Sequence, residues 1–295
     1  MKWKNSCHLY SIIAIFFWSL AYVFTRLALQ YFSPFSLGLL RYAVASSFLV
    51  VIVLAKKIRL PGKADVPWLI LSGACGFFLY MLAFNAGSQT VTAATSCTVI
   101  ATVPIITALL ARLIYREKLT AVQWGAIVLS FGGVVVLTVL EGGLSANIGL
   151  LYIIGAAVLL SVYNLLQRRM TKSASPLQTV AFSIFFGTLM LCVFAPAAVT
   201  EASGAPPIQI VYVLFLGIFP GAVAYCAWTK ALSLAGNTSS VSNYLFVEPF
   251  LTALFGYLIA RERIGGSTIA GGIIILAGLF LYYFGGRIRL RRAHG

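Results

Sequence analysis

Residues 104–118 read PIITALLARLIYREK, and residues 249–263 read PFLTALFGYLIARER. Eight of the fifteen paired positions are identical, at a constant offset of 145. Each stretch is an apolar run that opens on a proline and closes on an Arg-Glu pair, which is how a helix leaving an apolar environment ends. Outward from these two, the chain resolves into ten apolar runs: 8–29, 36–55, 66–86, 90–113, 121–140, 147–167, 176–198, 208–230, 237–260 and 264–286. Turn-forming dipeptides stand between them, among them Ser33-Pro34, Pro61-Gly62, Gly142-Gly143, Ser175-Pro176, Pro206-Pro207 and Gly285-Gly286. Each run is about the 20 residues that a helix needs to cross a bilayer.

Composition supports lipid as the solvent. Apolar residues make up 61% of the 295 and charged residues 9%, with a mean hydropathy of +0.98. A soluble domain carries about 25% charged residues, and so few charges cannot cover a water-facing surface. Backbone groups in lipid must be satisfied within their own segment, so the runs are helices. The short alternating segments of a β-barrel are absent. The first run is too long for a signal-peptide core and has no small-residue cleavage site after it. The expectation is an all-α integral membrane protein with ten transmembrane helices.

The net charge of +15 is spread over short loops rather than gathered on one patch, which argues for membrane topology and against nucleic-acid binding. With a cytoplasmic N-terminus, seventeen of the 21 Lys and Arg fall on the inner side, including Lys56, Lys57, Arg59, Lys63 and the closing Arg287, Arg289, Arg291 and Arg292. Only Arg261 and Arg263 fall outside, while Arg26 and Arg41 lie within helices. The bias predicts both termini in the cytoplasm and basic loops against anionic membrane lipid.

The paired stretches belong to a longer repeat. At an offset of 142, Arg26 aligns with Arg168 and Ser33-Pro34 with Ser175-Pro176. A longer loop near residues 200–207 absorbs the three-residue difference. Equivalent points are five spans apart, an odd number, so the halves enter the membrane in opposite senses. The chain divides into residues 1–145 and 146–295, two inverted five-helix repeats. Inverted repeats give a secondary transporter two near-equivalent shapes, one open to each side, with the substrate at their interface.

The segments FFWSLAYVFTRLAL (16–29), FSPFSLGLLRYAVA (32–45) and NYLFVEPFLTALFGYLIARER (243–263), with the two Arg-Glu motifs, resemble the EamA-type family of the drug/metabolite transporter superfamily. The resemblance extends over residues 11–285. It implies ten helices, residence in the cytoplasmic (inner) membrane of a bacterium, and export or exchange of amino acids and related metabolites. It does not name a cargo.

Glu248 is the leading candidate for a functional residue. It lies about 17 Å into the ninth span at 1.5 Å per residue. A charged acid at that depth costs about 2.5–3.5 kcal/mol on insertion scales, so such groups face cavities and often carry protons. Proton coupling is one consequence; a structural tie to a neighbouring helix is the alternative. Pro249 and its mate Pro104 each remove a backbone donor and free a carbonyl, at Leu245 and Ile100. Paired helix breaks point to a binding and gating region, although bending for packing has the same signature. Arg41, roughly 9 Å from a membrane face, and Arg26 each offer a planar fork for a carboxylate, and each is long enough to snorkel. Glu117 and Glu262 occupy equivalent loop ends, where ion pairs or helix-terminus charges are expected. Trp18, Tyr80, Tyr225, Trp228, Asn243 and Tyr244 are candidates for an aromatic, partly polar pocket, with Tyr22, Asn85 and Asn164 at similar depth. Tyr244, four residues before Glu248, is expected on the same helix face. Glycines of the fifth and tenth spans suit close helix packing, within the chain or in a homodimer.

Other classes lack their residues. The two histidines, His8 and His294, stand near the termini, and there is no HExxH or phosphate-binding glycine loop, so no enzyme, metal site or cofactor is expected. The five cysteines read as packing residues. The small-molecule partner is therefore a metabolite or, alternatively, a cationic drug-like compound. Dependence on Arg41 favours carboxylate-bearing metabolites, whereas dependence on Glu248 alone favours cations.

Overall fold

The structure, a computed structural model, describes residues 7–140, 147–235, 241 and 243–292, with side chains described through residue 284 except at Asn243. Helices and their connecting turns account for the described residues, which contain no strand. The apolar helices are α1 (Cys7–Ala28), α2 (Pro34–Ala55), α3 (Val66–Ser88), α4 (Ala93–Tyr115) and α5 (Ala121–Leu140). They continue as α6 (Ile148–Met170), α7 (Pro176–Ser203), α8 (Pro207–Leu234), α9 (Tyr244–Ala260) and α10 (Gly266–Arg292). Among the described residues, nine are long and apolar enough to cross a bilayer and α9 is a shorter apolar helix. The chain is thus a multi-pass membrane protein, with the helix order expected from its hydropathy.

Several boundaries differ from expectation. α7 reaches Ser203 rather than 198, because Pro196 falls in the first turn of a new segment after a 3₁₀ turn at 192–194, where its missing N–H costs nothing. α8 runs to Leu234 rather than 230. α10 passes through Gly285-Gly286 to Arg292. The arginine-rich sequence that follows is a good helix former and suits a helix C-terminus. Gly142-Gly143 lies outside the described residues.

The same local devices recur in both halves. Ser33 and Ser175 cap α2 and α7, each accepting a backbone N–H three residues on, with proline in the first turn. π-helical segments interrupt α3 at Ala74–Leu79 and α8 at Phe219–Val223, starting 145 residues apart. Pro220 accounts for the second by removing a donor from the ladder. α4 and α9 end alike, with Arg116 (φ 54°) and Arg261 (φ 53°) in the left-handed conformation.

α5 and α10 pack on each other through their small residues. A Cβ on Gly271 would lie 2.8 Å from the Gly133 carbonyl oxygen, and one on Gly278 2.8 Å from the Ser130 nitrogen. Gly133, Gly271 and Gly278 are therefore occupied by contact within the chain, while Gly125 and Gly132 face open space. The main core lies between the halves. It joins Tyr22, Tyr42, Phe77, Phe84 and Cys97 to Ile153, Tyr163 and Ile184.

Candidate functional site

Two helix breaks face the middle of the bundle. α4 is interrupted at Ala101-Thr102 and restarts at Val103. α9 begins as a 3₁₀ turn, Asn243–Phe246, and becomes α-helical only at Glu248. Pro104 and Pro249 sit in the first turn of the restarted helices, as position-matched helix starters rather than mid-helix kinks. The carbonyl at each restart has a serine waiting for it. Ser161 Oγ of α6 shares its proton between Val103 O at 3.2 Å and Ala157 O of its own helix at 2.8 Å, and Ser19 Oγ of α1 donates to Glu248 O at 3.3 Å. Serine at 19 and 161 and the carbonyls at 103 and 248 are repeat mates. One arrangement is thus built twice, but only the second copy carries an acid.

The break also corrects one expectation. Tyr244 and Glu248 do not share a continuous helix, so their four-residue spacing does not align them. The Tyr244 hydroxyl instead lies 2.9 Å from Nδ1 of His8 on α1. The side chain of Asn243 lies outside the described residues.

Glu248 is partly exposed, yet it lies within electrostatic range of the buried Tyr22 and Cys97 and of Tyr80. Aromatic rings continue from there. Tyr80 stacks on Phe84 at 5.6 Å, and Tyr22 meets Phe84 edge-on at 5.5 Å. Across the repeat interface, Trp18 contacts Tyr225 at 5.4 Å and Trp228 at 5.3 Å. Tyr225 touches Phe77 at 5.9 Å. The cluster ends at Arg41, which lies within range of both Tyr80 and Tyr225. Arg41 and Glu248 thus both stand near one aromatic cluster, with Tyr80 in range of each.

Arg41 is 7% exposed. Its Nη1 donates a long bond (3.4 Å) to Thr25 Oγ1, and its guanidinium approaches the Tyr42 ring at 5.7 Å. Its Nε is buried without a hydrogen-bond partner. A charged arginine within a span costs about 2.5–3.5 kcal/mol on insertion scales, and one weak neutral bond does not offset that. The repeat mates of Thr25 and Arg41 are Gln167 and Ser183, and they also bond, Gln167 Nε2 to Ser183 Oγ at 3.2 Å. There, however, Ser72 completes a neutral triad, with Gln167 and Ser183 donating to its Oγ at 3.2 and 2.9 Å. Gly73 and Gly217 are matched by packing, since a Cβ on them would meet the Ser183 and Arg41 carbonyl oxygens, each at 2.7 Å, so the position matching Ser72 is the apolar Leu216.

Arg26 is not free for a substrate. Its Nε donates to Glu262 Oε1 at 2.8 Å, and Nη1 donates to the carbonyls of Ser88, Gln89 and Val91. Glu262 Oε2 accepts from the Ala93 nitrogen at 2.9 Å. These bonds tie α1, the α9 terminus and the α3–α4 turn together, beside a cleft of about 310 Å³ lined by Gln30, Ser88 and Gln89 among others. At the opposite end Arg168 pairs with Glu117 at 2.5 Å and lies 5.4 Å from the Tyr115 ring. Each pair joins the arginine of one repeat to the glutamate of the other. Sequence reasoning placed ion pairs at both loop ends but missed these partners. The aligned Arg26/Arg168 and Glu117/Glu262 positions were the available signal.

The remaining polar candidates are structural or unassigned. Asn85 Nδ2 donates to Pro34 O at 2.9 Å. Among the described residues no three His, Cys, Asp or Glu side chains gather in a way that suits a metal ion.

Comparison with known proteins gives this arrangement a context. The sequence model of the EamA-like transporter family matches residues 5–139 and again residues 147–284. An uncharacterized transporter, YdfC, of Bacillus subtilis (strain 168) is 29% identical over 267 residues, covering 90% of this chain and 87% of that protein. A probable terminal-alkyne amino-acid exporter of Streptantibioticus cattleyicolor is 26% identical over 273 residues, 92% of this chain and 91% of that one. A solved crystal structure superimposes with a TM-score of 0.62 at 20% identity, covering 94% of this chain and 98% of the other, a likeness of fold.

Proposed function

The chain belongs to the EamA-like transporter family, and from that premise we propose that it is a secondary transporter exporting or exchanging small metabolites such as amino acids. The halves 1–145 and 146–295 act as the two inverted repeats of an alternating-access carrier in a bacterial cytoplasmic membrane, with both termini cytoplasmic. The substrate occupies the aromatic cluster formed by Trp18, Tyr80, Tyr225 and Trp228, with Glu248 on its wall, and Asn243 and Tyr244 on the approach. The restarts at Pro104 and Pro249 are the points about which α4 and α9 reorient. Supporting this reading above all is the acid at the second helix break, where the symmetric copy carries Val103.

In this mechanism the two inter-repeat ion pairs close the two ends in turn. The Arg26–Glu262 pair, with its three carbonyl bonds, holds the outer end shut. The Arg168–Glu117 pair is the corresponding inner closure. Glu248 takes up a proton or a substrate amine as the cavity changes sides, so turnover depends on pH. The aromatic density around one acid also favours a second reading, export of cationic compounds.

Counterflow in proteoliposomes preloaded with amino acids, nucleosides and cationic dyes tests both. Wild type is expected to exchange a metabolite, and Glu248→Gln to lose that exchange or its pH dependence. Equal, equally pH-dependent flux in both proteins assigns Glu248 a structural role and ends the proton-carrier mechanism. Dye flux without metabolite flux selects the second reading.

A further inference from the structure

We propose that Arg41 anchors the carboxylate of the transported solute, which makes the substrate class small carboxylate-bearing metabolites with an apolar or aromatic body. The assignment rests on the transporter reading and adds to it the group that is recognised and the residue that recognises it.

The guanidinium is incomplete as the protein stands. Of its donors, Nε is buried and unpartnered and Nη1 makes one 3.4 Å bond. Nε and Nη2 form the edge that receives a carboxylate side-on, through two parallel bonds. Placed there, a carboxylate oxygen would satisfy the orphaned Nε and neutralise the charge in one step.

The repeat supplies an internal control. Ser183 replaces Arg41 in the second half, and the Gln167–Ser183–Ser72 triad is neutral and mutually bonded. Packing at this position therefore needs neither a charge nor an outside partner. Where Ser72 closes the triad in one half, the apolar Leu216 at the matching position offers Arg41 no polar side chain.

The surroundings limit the anion. Arg26 is committed to Glu262 and to carbonyls. The neighbours of Arg41 within range are the phenols Tyr42, Tyr80 and Tyr225. One guanidinium matches a monoanion, whereas a phosphate dianion calls for several cations.

The test is competition against tritiated apolar L-amino acids in counterflow, comparing free acids, the matching amides and inorganic phosphate. Wild type is expected to prefer the acid over the amide by about tenfold or more, the size of one charge-assisted pair. In Arg41→Gln the ratio should fall towards one, and Ser183→Ala should leave it unchanged. Arg41→Lys, which keeps the charge but not the fork, should give an intermediate ratio and serves where Arg41→Gln does not fold. An acid preference that survives in the folded variants overturns the assignment, as does stronger competition by phosphate than by the acids. Dye flux with no acid preference in wild type overturns it while leaving the transporter reading standing. Absence of any flux ends both.

Discussion

The two ends of the molecule carry the same ion pair in different settings. At one end Arg26 and Glu262 are 26% and 12% exposed, and the backbone of the α3–α4 turn and of Ala93 converges on them. At the other, Arg168 and Glu117 are 55% and 42% exposed. Arg112 adds bonds there to the carbonyls of Arg116 and Glu117, themselves on the surface. The residues are repeat mates, so their intrinsic chemistry is identical. What differs is desolvation and the number of backbone groups recruited. On the proposed mechanism these are the two copies of one closure, differing in how fully each is engaged.

The largest effect should come from breaking the engaged copy. Glu262→Gln removes the counter-ion of the part-buried Arg26, which keeps only neutral acceptors, at a cost of about 2–4 kcal/mol to the closed conformation. The measurement is the labelling rate of a cysteine introduced in place of Ser88, 2% exposed in the same cleft, expected to rise by about tenfold or more, since each 1.4 kcal/mol is a factor of about ten. The symmetric Glu117→Gln should cost under about 1 kcal/mol, because exposed pairs are screened and contribute little. Equal effects at the two ends would show that burial does not separate them. A charge swap, Arg26→Glu with Glu262→Arg, sharpens the point. It should recover only part of the loss, since a carboxylate in place of Arg26 cannot donate to the carbonyls of Ser88, Gln89 and Val91.

A smaller contrast lies at the helix breaks. Ser19→Ala and Ser161→Ala each remove one bond to a restart carbonyl, worth about 0.5–1.5 kcal/mol. Thermal unfolding in detergent should show similar losses for the two. Transport should separate them, with Ser19→Ala the more damaging because its carbonyl belongs to Glu248. Matching transport losses would argue that the acid gains nothing from the bond.

Much of this organisation was legible in the chain. Hydropathy located the spans because lipid leaves no alternative to helices, and the 104–118/249–263 match exposed the repeat. Pro104 and Pro249 marked the breaks to within three residues. The partners were harder to see. Arg26 and Glu262 are 236 residues apart, and their pairing depends on α1 meeting α9 across the repeat interface, which no local pattern encodes. The Gln167–Ser183–Ser72 triad was invisible for the same reason, since its members are ordinary helix residues until three helices meet. Tyr244 misled because periodicity assumes an unbroken helix, and the turn at Val247 cancels that assumption. The glycines of the fifth and tenth spans did signal close packing, but not whether α5 and α10 would meet each other or a second copy.

The smallest predicted effect tests the symmetry itself. Arg116 and Arg261 close α4 and α9 in the left-handed region, at φ 54°, ψ 33° and φ 53°, ψ 29°. A side chain there costs about 1 kcal/mol relative to glycine, so Arg116→Gly and Arg261→Gly should each stabilise the fold by about 0.5–1 kcal/mol. Neither guanidinium is needed for the closures, because those use Arg168 and Arg26. Equal gains in unfolding temperature at the two ends, beside unequal effects of Glu262→Gln and Glu117→Gln, would mean that the backbone keeps the repeat's symmetry while the side-chain networks break it. A gain at one end alone would instead place the asymmetry in the backbone, and the ion pairs would follow the conformational difference rather than define it.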